Sequence, residues 1–302
     1  MKKLLVVDSR LIAYLTFHRK EDIFKTFRYI VSYVEDYLPF DKMVIAFDSP
    51  KGSIKRQTLY KDYKAHRRAR EKTQTEEEQE RLKTFNKDYM NLYPLFSYLA
   101  SPILLDGFEA DDIANIISYK FKDNYKVYLL SSDSDWAMNL ISDNITQIHL
   151  TKGFINRANC FDVYSKKPDD IVFIQAICGI AKENVKGVFK FGETRCKKLL
   201  YKENLTHEEI ISTVQDWVNN KKYGCSLPTD YNTVKELFDF NYNLLKPIQL
   251  EELDKTTQDS LVQQFNHKPT YDLDELDTKA IELFNRPLML DIFDFYKYKK
   301  EQ

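Results

Sequence analysis

The residues best placed to do chemistry are acids that stand where strands end. Asp8 closes the run KLLVVD, and Asp48 directly follows MVIAF. Asp133 and Asp135 lie in SSDSD, just behind VYLL, and Glu109, Asp111 and Asp112 open the segment EADDIANII. In an open α/β sheet, ligands bind beyond the carboxyl ends of the strands, so the four strand-end aspartates would converge on one edge. Glu109 and Asp112, three apart on a helix, share a face with Asp111 beside them. Seven carboxylates in one cleft would raise one another's pKa values and destabilise the fold unless cations offset them. Hard, oxygen-liganded ions, Mg²⁺ or Mn²⁺, suit such a donor set. Two of them about 4 Å apart can activate a water and stabilise the leaving oxygen of a phosphodiester. Each acid alone has an ordinary role: a cap after a strand, or charge at a helix start. The joint pattern is what argues for metal.

Two basic segments offer a partner for that chemistry. Residues 51–70, KGSIKRQTLYKDYKAHRRAR, hold Lys51, Lys55, Arg56, Lys61, Lys64, Arg67, Arg68 and Arg70 against Asp62 alone, a net of +7, with Tyr60 and Tyr63 interleaved. Cations neutralise backbone phosphates, and aromatic rings offer faces to unstacked bases. From Lys182 to Lys202 a net of +5 includes Lys186, Lys190 and Lys197. There Gly187 and Gly192 bound a turn between two helices, with Gly179 ending the first. Glycines let backbone approach backbone, and a helix–turn–helix of this kind holds duplex by its phosphates without reading sequence.

The elements that must position these groups alternate. Residues 3–7, 43–47, 127–131 and 145–150 read as short buried strands. Helical patterns at about 20–38, 85–99, 109–122 and 134–141 lie between them. That alternation predicts a mostly parallel central sheet flanked by helices. From about 161 the chain turns helical, with further helices at 168–180, 192–202, 207–219, 231–242 and 277–285. A boundary near 160 therefore divides an α/β core, 1–160, from a helical region, 161–302. The charged stretch 71–83 reads as solvated or mobile.

Composition sets outer limits. The chain has 302 residues, 45 Lys+Arg against 46 Asp+Glu, and a formal charge of −1. The sum hides opposed blocks, since 251–294 carries a net of −7. With 43% hydrophobic residues it can bury a sizeable core. The four cysteines show no CxxC spacing, so a zinc cluster or disulfide framework is not expected, and free thiols fit a reducing interior. No apolar run approaches a membrane span, and the basic start MKKLLVVDSR reads as a first strand rather than a signal peptide. The expected location is the cytoplasm of a bacterial or phage-infected cell.

The order VVD at Asp8, FD at Asp48 followed by YKAHR, GFEADD at 107–112, SSDSD at 131–135 and then the glycine-bounded turn resembles the 5′-nuclease superfamily, also called the flap endonuclease superfamily. It is most similar to phage-type 5′→3′ exonucleases, including the T-even phage ribonuclease H, and to the 5′-nuclease domain of bacterial DNA polymerase I. The resemblance runs from about residue 3 to 200. It implies a PIN-like core with a helical arch at about 56–95 and a helix–3-turn–helix at about 168–202. It further implies a first metal site from Asp8, Asp48, Glu109 and Asp111, with Asp112, Asp133 and Asp135 shared with, or belonging to, a second. Lys64 and Arg56 would steer the scissile phosphate, Tyr63 would stack on unpaired nucleotides, and the turn could hold K⁺. One departure stands out. The family's GDxxDN stretch is here Gly179-Ile180-Ala181-Lys182-Glu183-Asn184. Ile180 cannot bind a metal, and Glu183, a longer carboxylate, is the remaining metal ligand implied there, which would weaken the second site or place its ion differently.

The implied activity is a Mg²⁺-dependent 5′→3′ exonuclease and structure-specific 5′-flap endonuclease. It would act on branched or 5′-single-stranded DNA and RNA/DNA hybrids, as a monomer, in primer removal alongside replication proteins. The alternative is a junction-binding protein of the same fold that has lost turnover through Ile180. An aspartyl-nucleophile phosphatase would want a second Asp two residues after Asp8, where this chain has Arg10. A small PIN-fold ribonuclease would be about half as long.

Overall fold

The computed structural model describes residues 1–27, 29–30, 40–285 and 288. The chain forms two compact units. The first comprises Met1–Ser53, Thr75–Asn156 and Ile248 onward, and the second comprises Ile54–Gln74 and Arg157–Pro247.

The first unit is built on a six-stranded sheet in the order β3-β2-β1-β4-β5-β6. The strands are β1 (Lys2–Asp8), β2 (Lys42–Phe47), β3 (Ser101–Leu104), β4 (Tyr125–Leu130), β5 (Ile145–His149) and β6 (Gly153–Asn156). The first five run parallel, and β6 returns antiparallel to β5. Leu4 to Val7 are almost wholly buried, as a central parallel strand covered on both faces requires. The chain leaves β1 toward β2 and β3, then crosses back to lay β4 on the other side of β1. The topological switch point therefore lies between β1 and β4, and Val7 pairs with Leu130 there.

Flanking helices close the core. Helix Glu76–Phe96 buries Phe85, Tyr89, Leu92, Leu95 and Phe96. Tyr89 lies 5.1 Å from Phe47 between ring centroids, and Phe96 stacks on Phe27 at 4.6 Å. Helix Ala110–Phe121 buries Ile113, Ala114, Ile116 and Ile117. Helices Lys255–Phe265 and Leu273–Phe284 also belong to this unit. Gln264 accepts a hydrogen bond from the Leu104 amide at 2.7 Å and donates to the Leu104 carbonyl at 3.1 Å, and Phe265 stacks on Phe121 at 4.1 Å.

The second unit centres on Phe173, Ile177, Phe191, Leu199, Val214 and Leu237. Helix Ile171–Cys178 leads into a two-stranded hairpin, Gly179–Ile180 with Val185–Lys186, and then to helix Glu193–Tyr201. A Cβ on Gly179 would fall 2.3 Å from the Gly187 amide nitrogen, and one on Gly187 would fall 2.0 Å from the Cys178 carbonyl carbon. Those two glycines permit the close approach of the hairpin strands. Gly192 instead has open space around it and caps the following helix. Buried Asn241 ties the unit together, donating to the Ala176 and Lys186 carbonyls at 2.8 Å each.

Several expectations need correction. The second unit resumes at Arg157, and 248–285 returns to the first unit, where Gln264 and Phe265 secure it. The segment assigned to one arch, 56–95, is divided. Its first part belongs to the second unit, while Phe85 to Phe96 pack in the first unit's core. Within 71–83, residues 73–83 are mostly exposed, and from Glu76 they enter a helix, because Thr75 and Glu78 form a capping box. Residues 134–139 form a 3₁₀ turn rather than an α-helix. Helix Ser9–His18 and the short edge strands β3 and β6 had no sequence assignment; β3 contains Pro102, which an edge strand tolerates. Of the helix expected at 20–38, residues 28 and 31–38 lie outside the described residues, as do 286, 287 and 289–294 of the acidic block. Among the described residues no helix is long and apolar enough to cross a membrane.

Candidate active site

In the first unit the predicted acids gather at the carboxyl end of the sheet. Asp8 ends β1, and its Oδ1 accepts the Leu11 amide at 3.0 Å, capping helix Ser9–His18. Its Oδ2 accepts a hydrogen bond from the Ser131 hydroxyl at 2.8 Å, across the switch point. The same hydroxyl accepts the Asp133 amide at 3.1 Å, so Ser131 joins β1's last residue to the loop after β4. Asp133 in turn takes the Asp135 amide on Oδ1 at 3.0 Å, the capping role open to it from sequence.

Asp48, one residue beyond β2, reaches sideways. Its Oδ1 accepts the Ala110 amide at 2.7 Å, which pins the start of helix Ala110–Phe121 to the sheet edge. Glu109, Asp111 and Asp112 occupy that start, with one carboxylate oxygen from each lying within 4.8 Å of the others. Asp112 is fully buried and accepts the Glu109 amide at 3.0 Å. Tyr89 supports the arrangement from below. Ser9 Oγ donates to the Ala46 carbonyl at 2.6 Å, so in the 2.7 Å contact between Ser9 and Tyr89 the phenol is the donor. The Tyr89 oxygen is then left to accept the Asp48 amide at 3.4 Å.

The electrostatics match this geometry. Burial, reinforced by the negative charges of Asp48 and Asp133, pushes the Asp8 carboxyl up to about 7, despite the lowering effect of the Leu11 and Ser131 hydrogen bonds. All seven predicted acids of the first unit thus stand at one edge, linked by Ser131 and the Ala110 amide. The donors are carboxylate oxygens throughout, and their mutual repulsion would be relieved by hard divalent cations. Ser131 sits inside the SSDSD motif but had been given no role, and Tyr89 carried no sequence signal at all.

The eighth acid, Glu183, is in the second unit with cations of its own. Arg67 pairs with it at 2.7 Å and Lys64 at 3.4 Å, and its backbone carbonyl accepts the Lys64 amide at 2.9 Å. Its carboxylate therefore offsets two basic side chains. Ile180 lies in the hairpin, paired with Val185.

The basic residues divide by exposure. Arg56 is only 5% exposed and its Nε donates to the Leu244 carbonyl at 3.2 Å, so it braces the second unit instead of offering charge at the surface. Tyr63 is 4% exposed, with Lys64 Nζ 5.1 Å from its ring centroid, which leaves no face for a base. Lys197 pairs with Glu193 at 2.6 Å. Lys186, Lys190 and Gly192 are exposed around the turn, and Gly187 is half-buried.

Comparison with known proteins gives the same direction. The family described as 5′-3′ exonuclease, N-terminal resolvase-like domain, matches residues 3–166. A 5′-3′ exonuclease of Mycoplasmopsis pulmonis is 28% identical over 297 residues, covering 87% of this chain and 94% of that one. The thermostable DNA polymerase I of Thermus aquaticus is 28% identical over 208 residues, 66% of this chain and 24% of that one. Among solved structures, T5 5′-exonuclease with bound zinc superposes with a TM-score of 0.65 at 19% identity, covering 94% of this chain and 99% of that one. A T5 flap endonuclease complex with DNA and metal ions gives 0.64 at 18%, covering 94% and 98%. These superpositions establish the shared fold, and since the family match spans more than half the sequence, the chain belongs to the 5′-3′ exonuclease family of nucleases.

Proposed function

We propose that the protein is a Mg²⁺- or Mn²⁺-dependent 5′→3′ exonuclease and structure-specific 5′-flap endonuclease, acting on DNA and RNA/DNA hybrids in primer removal. The observation that carries this reading is the joining of Asp8 and Asp133 through Ser131 at the switch point, beside Asp48 and the Glu109–Asp111–Asp112 group. Asp8, Asp48, Glu109 and Asp111 would hold one divalent ion, and Asp112, Asp133 and Asp135 would contribute to a second. Bound ions would supply water activation and neutralise charge developing on the phosphodiester. The carboxylates' task is to hold position, which their backbone hydrogen bonds achieve before any ligand arrives. Hydrolysis would leave a 5′-phosphate and a 3′-hydroxyl. Lys64, Arg67, Lys186 and Lys190 would neutralise backbone phosphates. A K⁺ ion at the 187–192 turn, replication partners, a monomeric state and a cytoplasmic location belong to the same reading.

The test is cleavage of a labelled 5′-flap duplex and a 5′-RNA/DNA hybrid, with Mg²⁺ or with EDTA, beside Asp133→Asn. The expected result is Mg²⁺-dependent product from the wild type and a loss of two or more orders of magnitude in the variant. No product from the wild type on either substrate, or full activity in Asp133→Asn, would overturn the reading.

A further inference from the structure

The acids stand at the carboxyl end of the first unit's sheet, and its amino end holds a recess of about 280 Å³. Lys2, Lys42, Ser101 and Tyr125, the first residues of β1 to β4, line it. His267, Lys268 and Tyr271, from the segment that returns to this unit, close it. Two bonds fix that segment. The Tyr271 amide donates to the Tyr98 carbonyl at 2.9 Å, and His267 Nε2 donates to the Ser97 carbonyl at 2.7 Å.

Lys42 is half-buried there, and its partners are neutral. Its Nζ donates to the Ser101 hydroxyl at 3.1 Å and to the His267 carbonyl at 3.5 Å, and lies 4.8 Å from the Phe265 ring centroid. Ser101 is 1% exposed, and its hydroxyl donates to the same His267 carbonyl at 3.0 Å. Two of the three ammonium N–H groups are thereby used, which leaves the third for a ligand. Among the described residues no carboxylate pairs with Lys42, Lys2 or Lys268. Burial pushes the Lys42 ammonium below the ordinary lysine value, as expected of a cation held without a counter-charge. Among the described residues Asp41 is the one acid of the lining, and its Oδ2 accepts the Lys3 amide at 2.7 Å. Three cations therefore meet one acid in a recess that also presents the Tyr125 and Tyr271 rings. A solvated lysine cluster has neither the enclosure nor the rings, and a purely structural clamp by Lys42 needs neither Lys2 nor Lys268. Cations beside rings in a concave site suit an anion joined to a flat aromatic group.

We propose that this recess binds a 5′-mononucleotide, its phosphate on Lys42, Lys2 and Lys268 and its base against Tyr125 and Tyr271, at the end of the sheet opposite the acids. The nuclease reading supplies a source, since a 5′→3′ exonuclease releases 5′-phosphorylated nucleosides, but binding here needs neither metal nor turnover. Isothermal titration calorimetry tests it on the full-length protein in EDTA, where the acids at the other end repel a phosphate, with dTMP, thymidine and inorganic phosphate as ligands. dTMP should bind one to one with a Kd of about 1 mM or tighter, and thymidine and phosphate each about tenfold more weakly. Either part binding as tightly as dTMP would overturn the nucleotide assignment. Lys2 and Lys268 are exposed, and their side chains make no hydrogen bond or ion pair among the described residues. Lys2→Gln/Lys268→Gln should therefore weaken dTMP about tenfold at an unchanged melting temperature. Lys42→Met keeps the length of the side chain and should weaken dTMP at least as much. Asp133→Asn should bind dTMP as the wild type does. No dTMP binding, equal binding in the wild type and both lysine variants, or weaker binding in Asp133→Asn would overturn the inference and leave the nuclease reading intact. Mg²⁺-dependent cleavage is measured separately, so a wild type that binds dTMP and cuts nothing would overturn that reading alone.

Discussion

The Ser131 hydroxyl donates to Asp8 Oδ2 at 2.8 Å, a bond between the residue ending β1 and the loop that follows β4. It lowers the Asp8 carboxyl against the stronger upward push of burial. Ser131→Ala removes that donor and also the acceptor of the Asp133 amide. The acid limb of the pH–rate profile should therefore move to higher pH, with a stability loss of about 1–2 kcal/mol from the orphaned amide. Stopped-time cleavage assays from pH 5.5 to 9 and urea unfolding measure the two effects. A variant with the wild-type profile would mean that Ser131 does not set the charge state of Asp8.

The acids were legible because their chemistry repeats at strand ends, and strand ends can be read from short apolar runs such as LLVV and MVIAF. What joins them was not. Ser131 belongs to a visible motif, but its bond to Asp8 depends on β4 lying beside β1, a pairing between segments more than 120 residues apart. Tyr89 is one ring in an amphipathic helix, and nothing local distinguishes it from its neighbours Phe85 and Leu92. The burial of Arg56 and Tyr63 was not legible either. A basic–aromatic run looks solvated in sequence, yet these two side chains are buried.

Asp8 also makes stability depend on pH in a way that metal should reverse. Its carboxyl is raised from 3.8 to about 7 in the folded protein, chiefly by burial and then by Asp48. The folded state therefore holds this proton more tightly than the unfolded chain. The associated stabilisation is complete below about pH 4 and is lost as pH rises through about 7. In EDTA the melting temperature should carry a falling contribution over that window. With Mg²⁺ present, an ion displaces the proton, so apparent affinity should climb roughly tenfold per pH unit until about pH 7. The Mg²⁺-induced gain in melting temperature should be larger at pH 8 than at pH 5.5, and Asp8→Asn should abolish the difference. A gain independent of pH would count against Asp8 as a ligand.

Glu183 makes the contrary prediction. Its carboxylate is 8% exposed and engaged by Arg67 at 2.7 Å and Lys64 at 3.4 Å. Glu183→Gln should leave the number of Mn²⁺ ions bound, measured by calorimetry, at the wild-type value. Stability should fall by about 1–2 kcal/mol, the lower part of the range for breaking such pairs because Arg67 is half exposed. Loss of a bound ion in this variant would make Glu183 a metal ligand, as the sequence resemblance implies.

The last prediction concerns the segment that rejoins the first unit. Gln264 accepts the Leu104 amide at 2.7 Å and donates to the Leu104 carbonyl at 3.1 Å, serving β3 as a neighbouring strand would on its outer edge. Its oxygen also receives the Tyr93 hydroxyl at 3.1 Å. Gln264→Leu preserves side-chain bulk but leaves both backbone groups and the phenol without these partners. Each orphaned group costs about 1–3 kcal/mol when water cannot replace the bond, and water can reach part of this edge. A total loss of about 2–4 kcal/mol is expected in urea unfolding. Gln264→Glu keeps the acceptor for the Leu104 amide and, when ionised, loses the donor to its carbonyl. It should fall between the wild type and the leucine variant and recover stability as pH is lowered and the carboxyl gains its proton. A leucine variant within about 0.5 kcal/mol of wild type would show that the helices after residue 248 are held by apolar packing, such as Phe265 on Phe121, and not by the edge clamp.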